Sequence, residues 1–146
     1  IKLIDLGLAK MQSATPRLSP SSPPKRQTAT YTDAAPLGTP DYMAPEIVRG
    51  EQYDRSVDLW ALGCVLVELA TGIPPFHDAS PEAIFARILA GEWRQNPETL
   101  DIDADLLALC RDLLTQDPVK RPSIEDIKDH RFFDGIDWPS LRETLV

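Results

Sequence analysis

Cysteine is scarce, with only Cys64 and Cys110 among 146 residues. The two lie far apart inside apolar helical patterns and have no metal-ligand spacing, so they read as buried free thiols. Long apolar runs are missing as well. The longest, residues 59–70, is interrupted by Glu68 and falls short of the ~20 residues needed to cross a bilayer. It reads as a buried helix, and no membrane span is expected. Basic charge is the third shortage: 15 Lys and Arg stand against 23 Asp and Glu, a formal net charge of −8. Phosphate binding needs clustered Lys and Arg, so this balance argues against nucleic acid or an anionic membrane as the main partner and fits a basic peptide better. No signal-peptide pattern is present, which makes a reducing, intracellular setting the default expectation.

What is there describes one soluble globular unit. A chain of 146 residues is long enough for one core and too short for two ordinary domains, and 42% hydrophobic with 26% charged residues is a globular balance. The chain opens on Ile1-Lys2-Leu3-Ile4, an apolar run that reads as an edge strand with nothing before it to pair with, as expected of a piece of a longer protein. Across residues 11–36 the composition shifts to Ser, Thr, Ala and Pro, with Pro16, Pro20, Pro23, Pro24 and Pro36, and apolar periodicity disappears. This is a loop by composition. Lys25-Arg26 followed by Thr28, Thr30 and Thr32 has the look of a phosphorylation target, although Ser/Thr-rich loops look so by default.

Beyond Gly38 the pattern is helical. Residues 44–49 make a short helix, and Ser56 is the expected cap of a strongly apolar helix over 57–71, closed by Gly72 and Pro74-Pro75. That helix is apolar on nearly every face, which places it mid-domain with others packed around it. Ser80-Pro81-Glu82 starts a helix that runs to Ala90 before Gly91. Residues 103–115 are amphipathic, with Leu106, Leu107, Leu109, Cys110, Leu113 and Leu114 on the apolar side, and a last helix spans about 123–129. The fold class is therefore mainly α.

Three constellations occur in fixed order. Asp5-Leu6-Gly7 follows the strand; Gly38-Thr39-Pro40-Asp41-Tyr42-Met43-Ala44-Pro45-Glu46 follows the loop; Asp58-Leu59-Trp60-Ala61-Leu62-Gly63 opens the buried helix. An isolated Asp-Leu-Gly is a weak signal, but the nine-residue run ending in Ala-Pro-Glu is specific. With Pro74-Pro75-Phe76, Arg121-Pro122 and His130-Arg131-Phe132-Phe133 in their later positions, the chain resembles the protein kinase family over nearly its whole length.

The resemblance implies the C-terminal half of the large lobe of an α+β, two-lobed kinase. Residues 1–133 would be a partial kinase domain with 11–37 as an elongated activation loop, and 134–146 the start of a C-terminal tail. Asp5 takes the part of the carboxylate that holds Mg2+ beside the phosphates of ATP, with Leu6 in place of the usual Phe. Glu46 matches the acid that pairs with the Arg of the Arg-Pro element, here Arg121, a structural link. Asp58 matches a buried acid that caps backbone amides of the catalytic loop. Thr39 falls on the substrate side, where serine/threonine kinases keep a Thr beside the catalytic Asp. Glu68, with Asp41 as helper, falls where basophilic kinases bind Arg of the substrate; the alternative is an ordinary surface acid. No residue of this chain is assigned as the catalytic base, since the His-Arg-Asp loop, the Gly-rich loop and the ATP-anchoring Lys would precede Ile1.

Residues 1–10, 38–42 and 71–85 look like the AGC group of kinases, nearest to microtubule-associated serine/threonine kinases and the Greatwall type, which also carry an insertion before Gly-Thr-Pro. The segment from Asp58 to Cys64 also resembles phosphoinositide-dependent kinase. Many AGC kinases have a phosphorylated Thr four residues before the Thr of Gly-Thr-Pro; Ala35 stands there. Thr28, Thr30 and Thr32 can substitute only if the loop folds back to bring a phosphate to Arg or Lys. The expected activity of the parent is transfer of the ATP γ-phosphoryl to Ser or Thr of protein substrates, in cytoplasm or nucleus. The alternative is a pseudokinase or helical interaction module, against which Asp5 speaks.

Overall fold

Most helix starts among the described residues are marked by a polar side chain that turns back onto the helix's own first amides. A computed structural model describes residues 39–141. In chain order these form α1 (Pro45–Val48), α2 (Ser56–Thr71), α3 (Pro81–Ala90), α4 (Ala104–Leu113) and α5 (Ile124–Lys128). Single 3-10 turns at Pro40–Tyr42, Pro97–Thr99 and Arg131–Phe133 lie between and beyond them. Among the described residues there is no strand, which agrees with a mainly α part of the kinase fold; the expected edge strand 1–4 and the loop over 11–37 lie outside the described residues.

Ser80 Oγ accepts from Ala83 N at 3.2 Å, Asp103 Oδ1 from Asp105 N and Leu106 N, and Ser123 Oγ from Asp126 N at 3.2 Å. Asp126 returns the favour by accepting from Ser123 N at 2.8 Å, a reciprocal capping box. One expected cap is corrected. Ser56 is the first residue inside α2, and the side chain that holds its N–H is Asp54, at 2.8 Å. This acceptor two residues upstream makes the Ser56 hydroxyl redundant as a cap, and its Oγ is buried without a partner among the described residues. At the other ends, Gly72 (φ 80°) and Gly91 (φ 69°) take the left-handed conformation that stops α2 and α3.

α2 organises the core. Leu59, Trp60, Gly63, Cys64 and Val67 line its buried side. Trp60 stacks flat on Phe76, ring centroids 5.2 Å apart and planes 8° apart, and both side chains are fully buried. Around them pack Ala44, Ile84, Ile88, Cys110 and Leu114. Leu59 joins Leu109, Leu113 and Ile127 in a second cluster that carries α4 and α5. α4 approaches α2 closely at Gly63, where an added Cβ would stand 2.9 Å from Leu113 Cβ. Both cysteines are free and buried, as their apolar settings imply.

The expectation that α2 is enclosed all round is met on one side only. Leu62, Val65 and Leu69, spaced three and four residues apart, are exposed among the described residues, Leu69 by 78%. Past α5, the indole N–H of Trp138 donates to Lys128 O at 3.2 Å, and its ring meets Phe133 edge-on at 5.1 Å, so the start of the last segment is folded onto α5. No helix among the described residues is long and apolar enough to cross a membrane.

Candidate functional site

The site is built around residues 39–46. Thr39 has extended backbone (φ −78°, ψ 121°) and leads into the Pro40–Tyr42 turn, whose first position suits the fixed φ of Pro40. Thr39 itself is exposed. The next two side chains diverge to separate anchors. Asp41 is buried, and its Oδ1 lies 2.7 Å from His77 Nδ1; a carboxylate accepts, so the ring N–H donates. Tyr42 Oη donates to Glu68 Oε2 on α2 at 2.6 Å.

The Tyr42 contact leaves an electrostatic mark. Its hydrogen bond to Glu68 pushes the phenol up to about 12, helped by burial and by the nearby charges of Glu68 and Asp41. Losing that proton would set a phenolate against two carboxylates. On the turn after α2, the Arg87 guanidinium donates to Asp78 Oδ2 at 2.6 Å and, with the Ala79 amide, holds the Asp78 carboxyl below the usual range.

The other end of the segment is locked into the core. Met43, Ala44 and Pro45 are buried, and Glu46 is 1% exposed. Arg121 Nη1 donates to Glu46 Oε1 at 2.9 Å and Nη2 to Oε2 at 3.2 Å. Nη1 also reaches Ser56 O at 2.7 Å, while Nε and Nη2 reach Thr115 O, each at 3.2 Å. The guanidinium has five N–H groups and makes five contacts here, so none of its donors is left without an acceptor. Its carbon also sits 5.3 Å from the Trp60 ring centroid. A buried charge pair is tolerable only when so fully satisfied.

The expected site residues thus fall into three groups. Glu46 and Arg121 meet, while Asp41 and Glu68 are held by separate partners, His77 and Tyr42. Asp58, read as a buried capping acid, is exposed among the described residues. It borders an open groove of about 370 Å3 shared with Leu59, Ile124 and Glu125, and the catalytic-loop amides it would cap are not among the described residues. Asp5, Thr28, Thr30 and Thr32 lie outside the described residues. Among those described, no group of three or more His, Cys, Asp and Glu side chains is placed to hold a metal ion.

Sequence reasoning missed two functional partners, the Tyr42 hydroxyl and the His77 ring. Tyr42 lies 26 residues and His77 36 residues from the acid it holds, and no local pattern spans such distances. It also missed the carbonyls of Ser56 and Thr115, which carry no side-chain signal at all.

Comparison with known proteins gives a consistent result. Residues 1–133 match the profile of the family described as protein kinase domain. The chain is 42% identical over 138 residues to "Serine/threonine-protein kinase greatwall" of Danio rerio, covering 92% of this chain and 16% of that protein. The Homo sapiens protein of the same name is 39% identical over 139 residues, 94% of this chain and 16% of that protein. "Probable serine/threonine protein kinase IRE4" of Arabidopsis thaliana is 36% identical over 159 residues, 97% of this chain and 15% of that protein. The chain therefore spans a small part, 15–16%, of the length of these relatives.

Proposed function

The chain belongs to the protein kinase domain family, and from that premise we propose that its parent transfers the γ-phosphoryl group of ATP to Ser or Thr hydroxyls of protein substrates. In this reading the bond from the γ-phosphorus to the ADP oxygen breaks, a bond to the acceptor oxygen forms, and the hydroxyl proton passes to a base that no residue of this chain is assigned to supply. Bound Mg2+ would offset negative charge on the phosphate oxygens, with Asp5 its carboxylate here. This chain contributes the substrate-facing, helical half of the large lobe, within which we assign residues 1–133 to the kinase domain, 11–37 to the activation loop and 134–146 to a tail of AGC type.

The observation that carries the reading is the double anchoring of residues 39–46. Glu46 is tied to Arg121 at one end, and Asp41 and Tyr42 are tied to His77 and Glu68 at the other. Transfer depends on positioning the acceptor more than on covalent chemistry by the protein, and a loop fixed at both ends is a rigid rest for a peptide. Exposed Thr39 would lie beside the acceptor hydroxyl, and Glu68 with Asp41 would meet basic residues near it. Asp58 would cap the catalytic-loop amides. Thr28, Thr30 and Thr32 are the candidate phosphosites, and the setting is intracellular, in cytoplasm or nucleus.

The test is an assay of the full-length parent with ATP, magnesium and a basic Ser/Thr peptide, beside an Asp5→Ala control. Transfer that disappears in the control supports the assignment. An intact rate in Asp5→Ala removes Asp5 from the chemistry, and no transfer by the parent favours a kinase-like interaction module.

A further inference from the structure

The two acids read above as meeting a basic substrate are both already occupied by side chains of this chain. Tyr42 holds Glu68 through one oxygen at 2.6 Å, and His77 holds Asp41 through one oxygen at 2.7 Å. The two holders are not alike. Tyr42 is half-buried on a segment locked at both ends. The His77 side chain is 49% exposed, against 11% for the Asp41 side chain it covers.

The backbone of His77 is tied at two points, whereas its half-exposed ring is held through Nδ1 by Asp41. His77 N donates to Pro74 O at 3.2 Å, and its carbonyl accepts from Arg94 Nη1 at 3.1 Å. Rotation about the Cα–Cβ bond is enough to carry a half-exposed ring into water. Asp41 would then be a largely buried carboxylate without a partner, a costly state unless another donor takes the vacated oxygen. The charged groups next to His77 in the chain or bonded to its backbone are themselves engaged: Asp78 with Arg87, and Arg94 with the His77 carbonyl.

We propose that His77 is a specificity-determining residue that stands in for a substrate cation, occupying Asp41 until an Arg or Lys of the bound peptide displaces it. The inference rests on the reading of Asp41 and Glu68 as substrate-side acids. Its consequence is a subsite whose charge is never left bare, and whose preference for basic peptides is weaker than its acids alone would give. Displacement exchanges one donor to Asp41 for another, so the peptide gains only the difference between the two contacts.

The test uses the full-length parent and a peptide set in which a single Arg replaces Ala at each position preceding the acceptor Ser. The quantity read is the ratio of kcat/KM for the Arg peptide over the all-Ala peptide. His77→Ala is expected to raise this ratio at one position by roughly two- to fivefold, the worth of a partly exposed ion pair, through a lower KM. His77→Gln, which keeps a donor for Asp41, is expected to stay near the parent value. In an Asp41→Asn background, His77→Ala is expected to have no further effect. A ratio above one that is identical in parent and His77→Ala, with matching melting temperatures, overturns the inference and leaves the substrate reading standing. A ratio of one in the parent and in all variants overturns both.

Discussion

Arg121 grips both carboxylate oxygens of Glu46, 75 residues earlier in the chain, while the same guanidinium reaches the carbonyls of Ser56 and Thr115. One side chain thereby joins α1, the start of α2 and the segment between α4 and α5. Arg121→Ala is expected to destabilise the fold by about 3–5 kcal/mol, because it strands a buried carboxylate and two carbonyls. Arg121→Lys should recover little, since an ammonium offers three donors and no planar fork. Urea denaturation followed by tryptophan fluorescence measures both, and a loss under about 1 kcal/mol in Arg121→Ala would show that the pair behaves like a surface contact.

Gly63 marks the closest approach of α2 and α4. Alanine is the better helix former by roughly 0.5–1 kcal/mol, yet a Cβ there would meet Leu113 Cβ at 2.9 Å and Leu114 at 3.0 Å. Overpacking of this kind costs about 1–3 kcal/mol, so Gly63→Ala is expected to be net destabilising. An unchanged or raised melting temperature would mean that the two helices separate freely.

Tyr42 supplies a pH signature. Its folded-state phenol is raised to about 12 by the Glu68 hydrogen bond, from an unfolded value of 10.0. The neutral form is the one the fold prefers, so this contribution is fully present below pH 10 and is lost as pH rises toward 12. Ultraviolet titration of tyrosinate is expected to show one late-ionising tyrosine that disappears in Tyr42→Phe. If the late step persists in that variant, it belongs to another tyrosine.

The two thiols should be inert in the native state. Burial pushes Cys110 up to about 11 and raises Cys64 as well, so the reactive thiolate is suppressed at both. Labelling with an aromatic disulfide near pH 8 is expected to be negligible in the folded protein and to reach both cysteines in denaturant. Rapid native labelling would mean that α2 and α4 open readily.

The sequence revealed most where the interaction is local. Ser80 caps the helix it was expected to start, and Asp103 and Ser123, read only as the first residues of their helices, cap theirs as well, because a cap and its amide lie within three residues of each other. Asp54 and Ser56 are rival caps for one helix, and the choice between them depends on which side chain is turned inward. The apolar character of α2 was plain, but not that Leu62, Val65 and Leu69 would be exposed among the described residues, since that depends on what packs alongside. The Glu46–Arg121 pair was legible only through resemblance to a family. The His77 contact with Asp41 was not legible at all, being a product of how the turn after α2 folds back on the Pro40–Tyr42 turn.

The most direct test of the central claim is phosphoamino acid analysis of a protein or peptide substrate after incubation with the full-length parent, ATP and magnesium. The account predicts phosphoserine or phosphothreonine, and none when Asp5→Ala replaces the parent. Phosphotyrosine as the product, or label that survives Asp5→Ala, would contradict it.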